Sequence, residues 1–418
     1  MLFKKSREPE NTDQHIVALD IGTEYTKALI ARVDGEKLTI IGTGRAHQEL
    51  GNMYSGAVAD ITGVVRNCEI ALTAAEEQAG LQARKVIAGL AGEFVKGVTS
   101  TIRYKRPSAD KQLDETEMET IIRKVQERAA MKAQKQIAIE TGNQDVEVKL
   151  VNSAIVSIHI DGYKVNNPIG FQGKDVAIQI YTAFAPMVHI GALERIANEL
   201  DLELLAVAAE PFAVSRAVLG DDSNSSFTAI LCDIGGGTTD VAVINDGGVE
   251  GTRMFGVAGR SFTNTISNDL GISYEEAERL KMNADNPKIK PSVKEAMDES
   301  IDKTLDVWVD GVELALSEFD AIDQLPSRLL MCGGGSSLKR LIERLSTADW
   351  YKDLPFTKRP SVHLIKPSNV VGIEDETGDV SDHTMITAMG LLRVGCDTLN
   401  SSEDDDTIKG KVDKILRI

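Results

Sequence analysis

The sequence predicts an α/β protein built by duplication, with a small α+β module inserted in its first half. Two observations carry this. Residues 16–27 read IVALDIGTEYTK and residues 229–240 read AILCDIGGGTTD. Both are an apolar strand, Asp-Ile-Gly, a short turn with a Thr, and a second strand, about half a chain apart. Between them, residues 98–185 show the order strand, helix, strand, strand, a pattern that makes a small α+β unit.

Length and composition bound the rest. At 418 residues the chain is too long for one ordinary domain. Its 42% hydrophobic and 26% charged content is that of a soluble globular protein. A net charge of −18 argues against broad nucleic-acid binding, which needs a basic face. Cys68, Cys232, Cys332 and Cys396 lack metal-ligand spacing and read as reduced core thiols of a cytosolic protein. No stretch approaches the roughly 20 apolar residues of a membrane span, and the polar opening MLFKKSREPENTDQ has no signal-peptide core. The expected compartment is the cytoplasm.

The elements follow in order. Residues 1–14 read as a flexible arm. HIVALDIG, TKALIARVDG and EKLTIIGTGRA form a three-stranded meander turning at Gly22–Glu24 and Asp34-Gly35. Residues 60–80 have helical apolar spacing between a capping Asp60 and a terminal Gly80, and RKVIAGLAG is another strand. In the inserted module VTSTIRYKR is a strand and Pro107–Leu113 a polar loop. A helix over 114–133 follows, with Asp114 and Glu117 at capping-box spacing. VKLVNSAIVSIHIDGYKV and KDVAIQIYTAFAP are strands around the turn NNPIGFQG. A second meander occupies SSFTAILCDIG, GTTDVAVINDGG and VEGTRMFGVAG. Helical patterns fill 261–325. SRLLMCGGGSSLKRLIERL is a buried strand, a glycine loop and a helix, and a last helix covers 383–399. SSEDDDTIKGKVDKILRI is an acidic linker and a short basic-apolar segment.

A hairpin turn of Gly and Thr exposes backbone N–H groups in a concavity that binds phosphate oxygens without basic side chains. The hydroxyls of Thr23, Thr238 and Thr239 add donors. Asp20 and Asp233, at the ends of buried strands, are placed to hold the water shell of a Mg²⁺, an ion that takes oxygen ligands and keeps several waters. One such hairpin alone is equally an ordinary turn; the pair, facing across a cleft, points to a nucleotide. Gly333–Gly335 with Ser336 and Ser337 opens a helix, where N–H groups and the dipole favour an anion, although alone it is equally a plain strand-to-helix turn.

The order DIGTEYTK, AAEPFAVSRAVLG, DIGGGTTD, MCGGGSSL resembles the actin-like ATPase superfamily. Within it the opening meander, GAVADITGVVRNCEIALTAAEEQAG, the insertion with NNPIGFQG and VAGRSFTNTISNDLGISYEEAERLK are most similar to the FtsA group of bacterial division proteins, over residues 15–397. The resemblance implies the duplicated actin-like (ribonuclease H-like) ATPase fold with a 1C-type insertion. Domain I would take 15–97 and 186–220, with 383–397 returning to it. The insertion would be 98–185, and domain II (2A/2B) 221–382, followed by an acidic linker 398–406 and a membrane-targeting segment 407–418.

The resemblance also implies ATP and Mg²⁺. Asp20, Gly22, Thr23 and Lys27 fall in the first phosphate motif. Asp233, Gly235, Gly236, Gly237, Thr238, Thr239 and Asp240 fall in the second. Gly333, Gly334, Gly335 and Ser336 match the adenosine motif. Glu278 and Lys281 match the pair that touches ribose and adenine; three apart on a helix, they read equally as a solvated ion pair. Glu210 sits where the superfamily orients the attacking water, with Asp233 as its catalytic companion. Beside Pro211, Glu210 is also an ordinary helix-start carboxylate. No arginine finger is identifiable, so any ATPase activity should be weak. Thr265 stands where the group often has Asp.

The implied partners are the tubulin-like division protein FtsZ through its C-terminal peptide, further copies of the chain in a filament, late division proteins and the cytoplasmic face of the inner membrane at the division site. In the tail, Ile408, Val412, Ile415, Leu416 and Ile418 share one helical face opposite Asp413, Lys414 and Arg417. It is short, lacks Trp or Phe and contains Gly410, so it also reads as a frayed polar terminus; binding by it would need multiplication by polymerisation. The alternative within the group is a PilM-like adaptor of type IV pilus assembly. A small-molecule kinase finds no substrate-domain signature, and a chaperone lacks its peptide-binding domain.

Overall fold

The computed structural model describes residues 14–92, 95–219, 226–319 and 322–403. The first half opens with the meander β1 (His15–Ile21), β2 (Tyr25–Asp34) and β3 (Lys37–His47), then a small hairpin, β4 (Met53–Tyr54) and β5 (Ala57–Val58). Helix α1 (Ile61–Ala79) and β6 (Lys85–Leu90) follow. The insertion holds β7 (Lys96–Lys105), α2 (Glu115–Thr141), β8 (Val148–Ile160), β9 (Tyr163–Val165) and β10 (Asp175–Pro186). The first half resumes with α3 (Met187–Glu199), β11 (Glu203–Ala209) and α4 (Glu210–Leu219). The second half has β12 (Ala229–Ile234), β13 (Thr239–Asn245), β14 (Gly248–Phe255), α5 (Gly259–Leu270), α6 (Tyr274–Met282), α7 (Pro291–Ser317), β15 (Arg328–Cys332), α8 (Lys339–Thr347) and β16 (Ser361–Leu364). β17 (Ile373–Asp375) and α9 (Ile386–Glu403) return to the first half.

The duplication is visible in the strand order. One sheet runs β11-β6-β1-β2-β3-β17, and the second-half strands of the other run β16-β15-β12-β13-β14. In each, an antiparallel meander is followed by two strands that add in parallel on the far side of the first strand. This is the duplicated actin-like α/β architecture. All seven residues of β1 and all six of β12 are buried, as expected of central strands covered on both faces.

Helix α1 shows how sequence sets packing. Asp60 caps it by accepting from the Thr62 N–H at 3.0 Å, and Gly80 ends it at φ 71°. Its buried face, Val64, Cys68, Ala71, Leu72 and Ala75, repeats at helical spacing. A Cβ at Gly44 of β3 would stand 1.8 Å from the Ala71 carbonyl oxygen; the helix lies closer to the strand than any side chain would permit. In the second half Trp308 of α7 is the largest fully buried side chain, and its indole N–H donates to Thr239 Oγ1 at 2.9 Å.

Several expectations change. The α2 helix runs to Thr141, eight residues beyond the predicted end, because buried Ile137 and Ala138 extend its apolar face. The Asp114–Glu117 capping box closes from one side. Asp114 accepts the Glu117 N–H at 2.8 Å, but the Glu117 carboxylate turns to the buried Arg106, at 3.0 and 2.8 Å. The stretch 148–165, read as one strand, is a hairpin turning at Asp161-Gly162, both with positive φ. The insertion is not a separate sheet: β7 pairs with β14 (Val98 with Gly251, Gly97 with Thr252), giving one nine-stranded sheet shared with the second half. Residues 398–403, expected in the acidic linker, continue α9. The predicted arm up to residue 13 and the tail 404–418 lie outside the described residues. All four cysteines are buried and free. Among the described residues no helix is long and apolar enough to cross a membrane.

Candidate functional site

The two Asp-Ile-Gly turns lie side by side, built alike. The Gly22 N–H donates to the Tyr25 carbonyl at 3.1 Å and the Gly235 N–H to the Thr238 carbonyl at 2.9 Å. Asp20 and Asp233 occupy matching places one residue before each strand ends. Their cross-strand partners differ: Lys27 faces Asp20, whereas Asp240 faces Asp233. Lys27 Nζ therefore pairs with Asp20 Oδ2 at 2.8 Å. Asp233 Oδ2 instead accepts from Thr387 Oγ1 at 2.5 Å, a residue of α9. Glu210, the first residue of α4, completes a buried group of four carboxylates, of which Asp20, Asp233 and Glu210 act on the Lys27 ammonium.

Burial dominates the electrostatics. It pushes the Glu210 carboxyl well above its ordinary range, helped by the charges of Asp20, Asp240 and Asp233 and opposed by Lys27. Burial, then Asp233, does the same to Asp240. Asp233 is raised by burial, moderated by the Thr387 hydrogen bond and Lys27. Burial works against the Lys27 ammonium, but Asp20 and the neighbouring carboxylates outweigh it and hold its pKa above the usual value. Glu210 Oε1 and Asp240 Oδ1 are buried without a hydrogen-bond partner. Unpaired oxygens beside mutually repelling carboxylates fit a hard cation with its waters. Among the described residues no three acidic, His or Cys side chains converge to hold a metal directly.

The third glycine loop closes over the second. Gly333 has φ 80°, and a Cβ there would lie 2.1 Å from Asp233 Oδ1. The loop is a 3-10 turn over Gly334–Ser337, and the helix predicted to open at it begins later, at Lys339 of α8. Farther along the cleft, Glu278 and Lys281 of α6 pair at 2.8 Å. Lys281 Nζ also donates to Thr263 Oγ1 at 2.8 Å and the Gly259 carbonyl at 2.9 Å, and the Thr263 hydroxyl donates to Glu278. This pair is built into the cleft wall rather than solvated.

Together these elements line a cleft of about 820 Å³ between the halves. Asp20, Gly22, Thr23, Lys27, Glu210, Asp233, Gly235, Gly236, Thr238, Glu278, Lys281 and Gly333–Gly335 face it. Four expected residues do not line it. Thr239 Oγ1 donates to the Val257 carbonyl and accepts from Trp308, so its hydroxyl cannot serve as a donor in the cleft. Ser336 is buried on the Cys332 carbonyl, Gly237 abuts Thr23, and Asp240 sits behind Asp233. Thr265, at the position of departure, bonds Thr304 Oγ1 at 2.8 Å. Sequence reasoning missed Thr387, Glu24 and Arg260. Arg260 directly follows Gly259 in the VAGR stretch, a local signal; nothing in the sequence marks Thr387.

Comparison with known proteins agrees with the resemblance to the FtsA group. Residues 230–390 match the family described as "Cell division protein FtsA". The FtsA division protein of Bacillus subtilis is 27% identical over 276 residues, 65% of this chain and 58% of that protein. That of Enterococcus hirae is 25% identical over 394 residues, 88% of this chain and 84% of that protein. The chain thus spans under two thirds of the Bacillus subtilis relative's length. Among solved structures, a chain of a PilM-PilN type IV pilus biogenesis complex superposes with a TM-score of 0.66 at 16% identity, covering 91% of this chain and 98% of that one. At that identity the likeness is one of fold.

Proposed function

We propose that the cleft binds ATP with Mg²⁺ and that the chain acts as an FtsA-like division protein. The observation that carries the nucleotide reading is the pair of identically built turns facing each other over four buried carboxylates and Lys27. The turn N–H groups of Thr23, Gly236 and Thr238 would hold phosphate oxygens, while those of Gly22 and Gly235 close their own turns. Asp20 and Asp233 would hold the cation through water. Gly333–Gly335, Glu278 and Lys281 would take the nucleoside. Mg²⁺ would supply charge neutralisation that the chain itself lacks, since its own charges here are mostly acidic. Glu210, with a free buried oxygen, is the group to orient a water, and Asp233 its companion. Lys27 pairs with Asp20. With Arg260 turned to Glu24 and the Thr23 carbonyl, hydrolysis would be weak at most.

The test is thermal unfolding with MgATP, MgADP, MgGTP or Mg²⁺ alone. A ligand at 100 times its Kd stabilises by about 2.7 kcal/mol. No shift with millimolar MgATP or MgADP sinks the nucleotide reading.

The division role rests on the FtsA likeness: polymerisation under the inner membrane, tethering of FtsZ by its C-terminal peptide, and contact with late division proteins through the insertion. Liposome co-sedimentation with ATP, comparing the full chain with one ending at Asp406, tests the membrane part; equal sedimentation refutes it. The PilM-type fold match favours a second reading, a pilus-assembly adaptor. Pull-downs with an FtsZ C-terminal peptide against a PilN-type N-terminal peptide decide between them.

A further inference from the structure

Arg260 belongs to the second half but spends its guanidinium on the first. From the second position of α5 its Nε donates to Glu24 Oε2 at 2.8 Å and its Nη2 to the Thr23 carbonyl at 2.7 Å. Its own N–H donates to the Gly236 carbonyl at 2.8 Å. One residue therefore holds both turns, by side chain and by main chain. The other Glu24 oxygen lies 2.8 Å from His47 Nε2, so the carboxylate is held from two sides. Arg260 and Glu24 are only 15% and 18% exposed, which sets this pair apart from a screened surface contact. Beneath it the turns abut. A Cβ on Gly237 would stand 2.6 Å from Thr23 Oγ1, and one on Gly236 2.8 Å from Glu24 Cβ.

We propose that Arg260 is a positioning residue, a strap that locks the first turn onto the second and must release before the halves part and the cleft exchanges its ligand. A two-point, charge-assisted attachment is strong and directional. It is also breakable as a unit, because both acceptors sit on one turn while the donor sits on the opposite half. The consequence is specific to this pair. Removing Arg260 breaks both attachments, removing the Glu24 side chain leaves the one to the Thr23 carbonyl, and removing both adds nothing beyond the loss of Arg260. This inference rests on the nucleotide reading for its exchange step, not for its closure step.

Two measurements on the full chain test it. The first is stopped-flow release of a fluorescent ADP analogue from the wild type, Arg260→Ala, Glu24→Ala, the double variant and Arg260→Lys. Arg260→Ala should speed release about tenfold, the loss expected for hydrogen bonds to a charged group, and Glu24→Ala by less, because the Thr23 carbonyl keeps its donor. The double variant should be no faster than Arg260→Ala, and Arg260→Lys should fall between it and the wild type. The second is the spin–spin distance between labels at Ile70→Cys on α1 and Val307→Cys on α7, both exposed sites in a chain whose own cysteines are buried. Without nucleotide, Arg260→Ala should shift or broaden this distance. Unchanged release and distance overturn the strap, as do additive effects of the two alanines. If the analogue never binds the wild type, the nucleotide reading fails, and the distance measurement alone upholds or overturns the strap.

Discussion

Lys27→Met removes the cation that sits among the buried carboxylates. The Lys27–Asp20 pair is 2.8 Å long with side chains 13% and 4% exposed, so solvent screens it little. Breaking such a pair by removing one partner leaves an uncompensated charge and costs about 3 kcal/mol or more. For a cooperative unit of roughly 150–250 residues that is a fall of about 6–12 °C in Tm. The loss should depend on pH with a definite sign. Glu210, Asp233 and Asp240 all have folded pKa values above the ordinary carboxylate ones. Their contribution is therefore present at low pH and lost as pH rises through the folded values. Lys27 itself is raised above 10.5, so its charge is constant between pH 5 and 8. Near pH 5 the carboxylates can take up protons in place of the missing ammonium, and the deficit should shrink. Scanning calorimetry of both proteins from pH 5 to 8, without nucleotide, measures this. A deficit below about 1 kcal/mol, or one equal at both ends of the range, would refute the reasoning.

Three further outcomes follow from the same geometry. Asp240→Asn should be near neutral at pH 4 and increasingly stabilising above it, by at most about 1.4 kcal/mol per pH unit; parallel wild-type and variant Tm curves from pH 4 to 8 would contradict this. Gly333→Ala forces a side chain into φ 80° and against Asp233 Oδ1, and should cost about 2 kcal/mol or more, read as a lower Tm together with weaker MgATP binding. Arg106→Met leaves the Glu117 carboxylate and the Lys111 and Gly173 carbonyls without their donor and should cost about 3 kcal/mol. The damage should centre on the insertion, with amide exchange accelerating in α2 and β10 before it does in β1.

What the sequence carried was local chemistry. The strand–turn–strand repeat, the capping Asp60 and Asp114, the glycines at the turns and the alternation of apolar positions act over a few residues, so they are readable in a single pass. They sufficed to place both Asp-Ile-Gly turns, with Asp20, Lys27 and Asp233. Elements without such punctuation escaped: the helix α3, the edge strand β11 of the first sheet, and the segment carrying β16 and β17. Helix α2 outran its predicted end because burial of Ile137 and Ala138, not propensity, decides where it stops.

Convergence across long separations was decided by the tertiary structure. Thr387 meets Asp233 from 154 residues away, and Arg260 reaches Thr23 from 237. The insertion fuses with the second half through β7 and β14. Thr239 turns from the cleft because Trp308 claims its hydroxyl. A turn's backbone conformation is set by its own residues, so the sequence by itself determined that two Asp-Ile-Gly turns of the same build exist. Which side chains stand opposite them, and which carboxylates lose their water together, depends on how whole layers stack. Packing brought Asp233 and Glu210 to the Lys27–Asp20 pair.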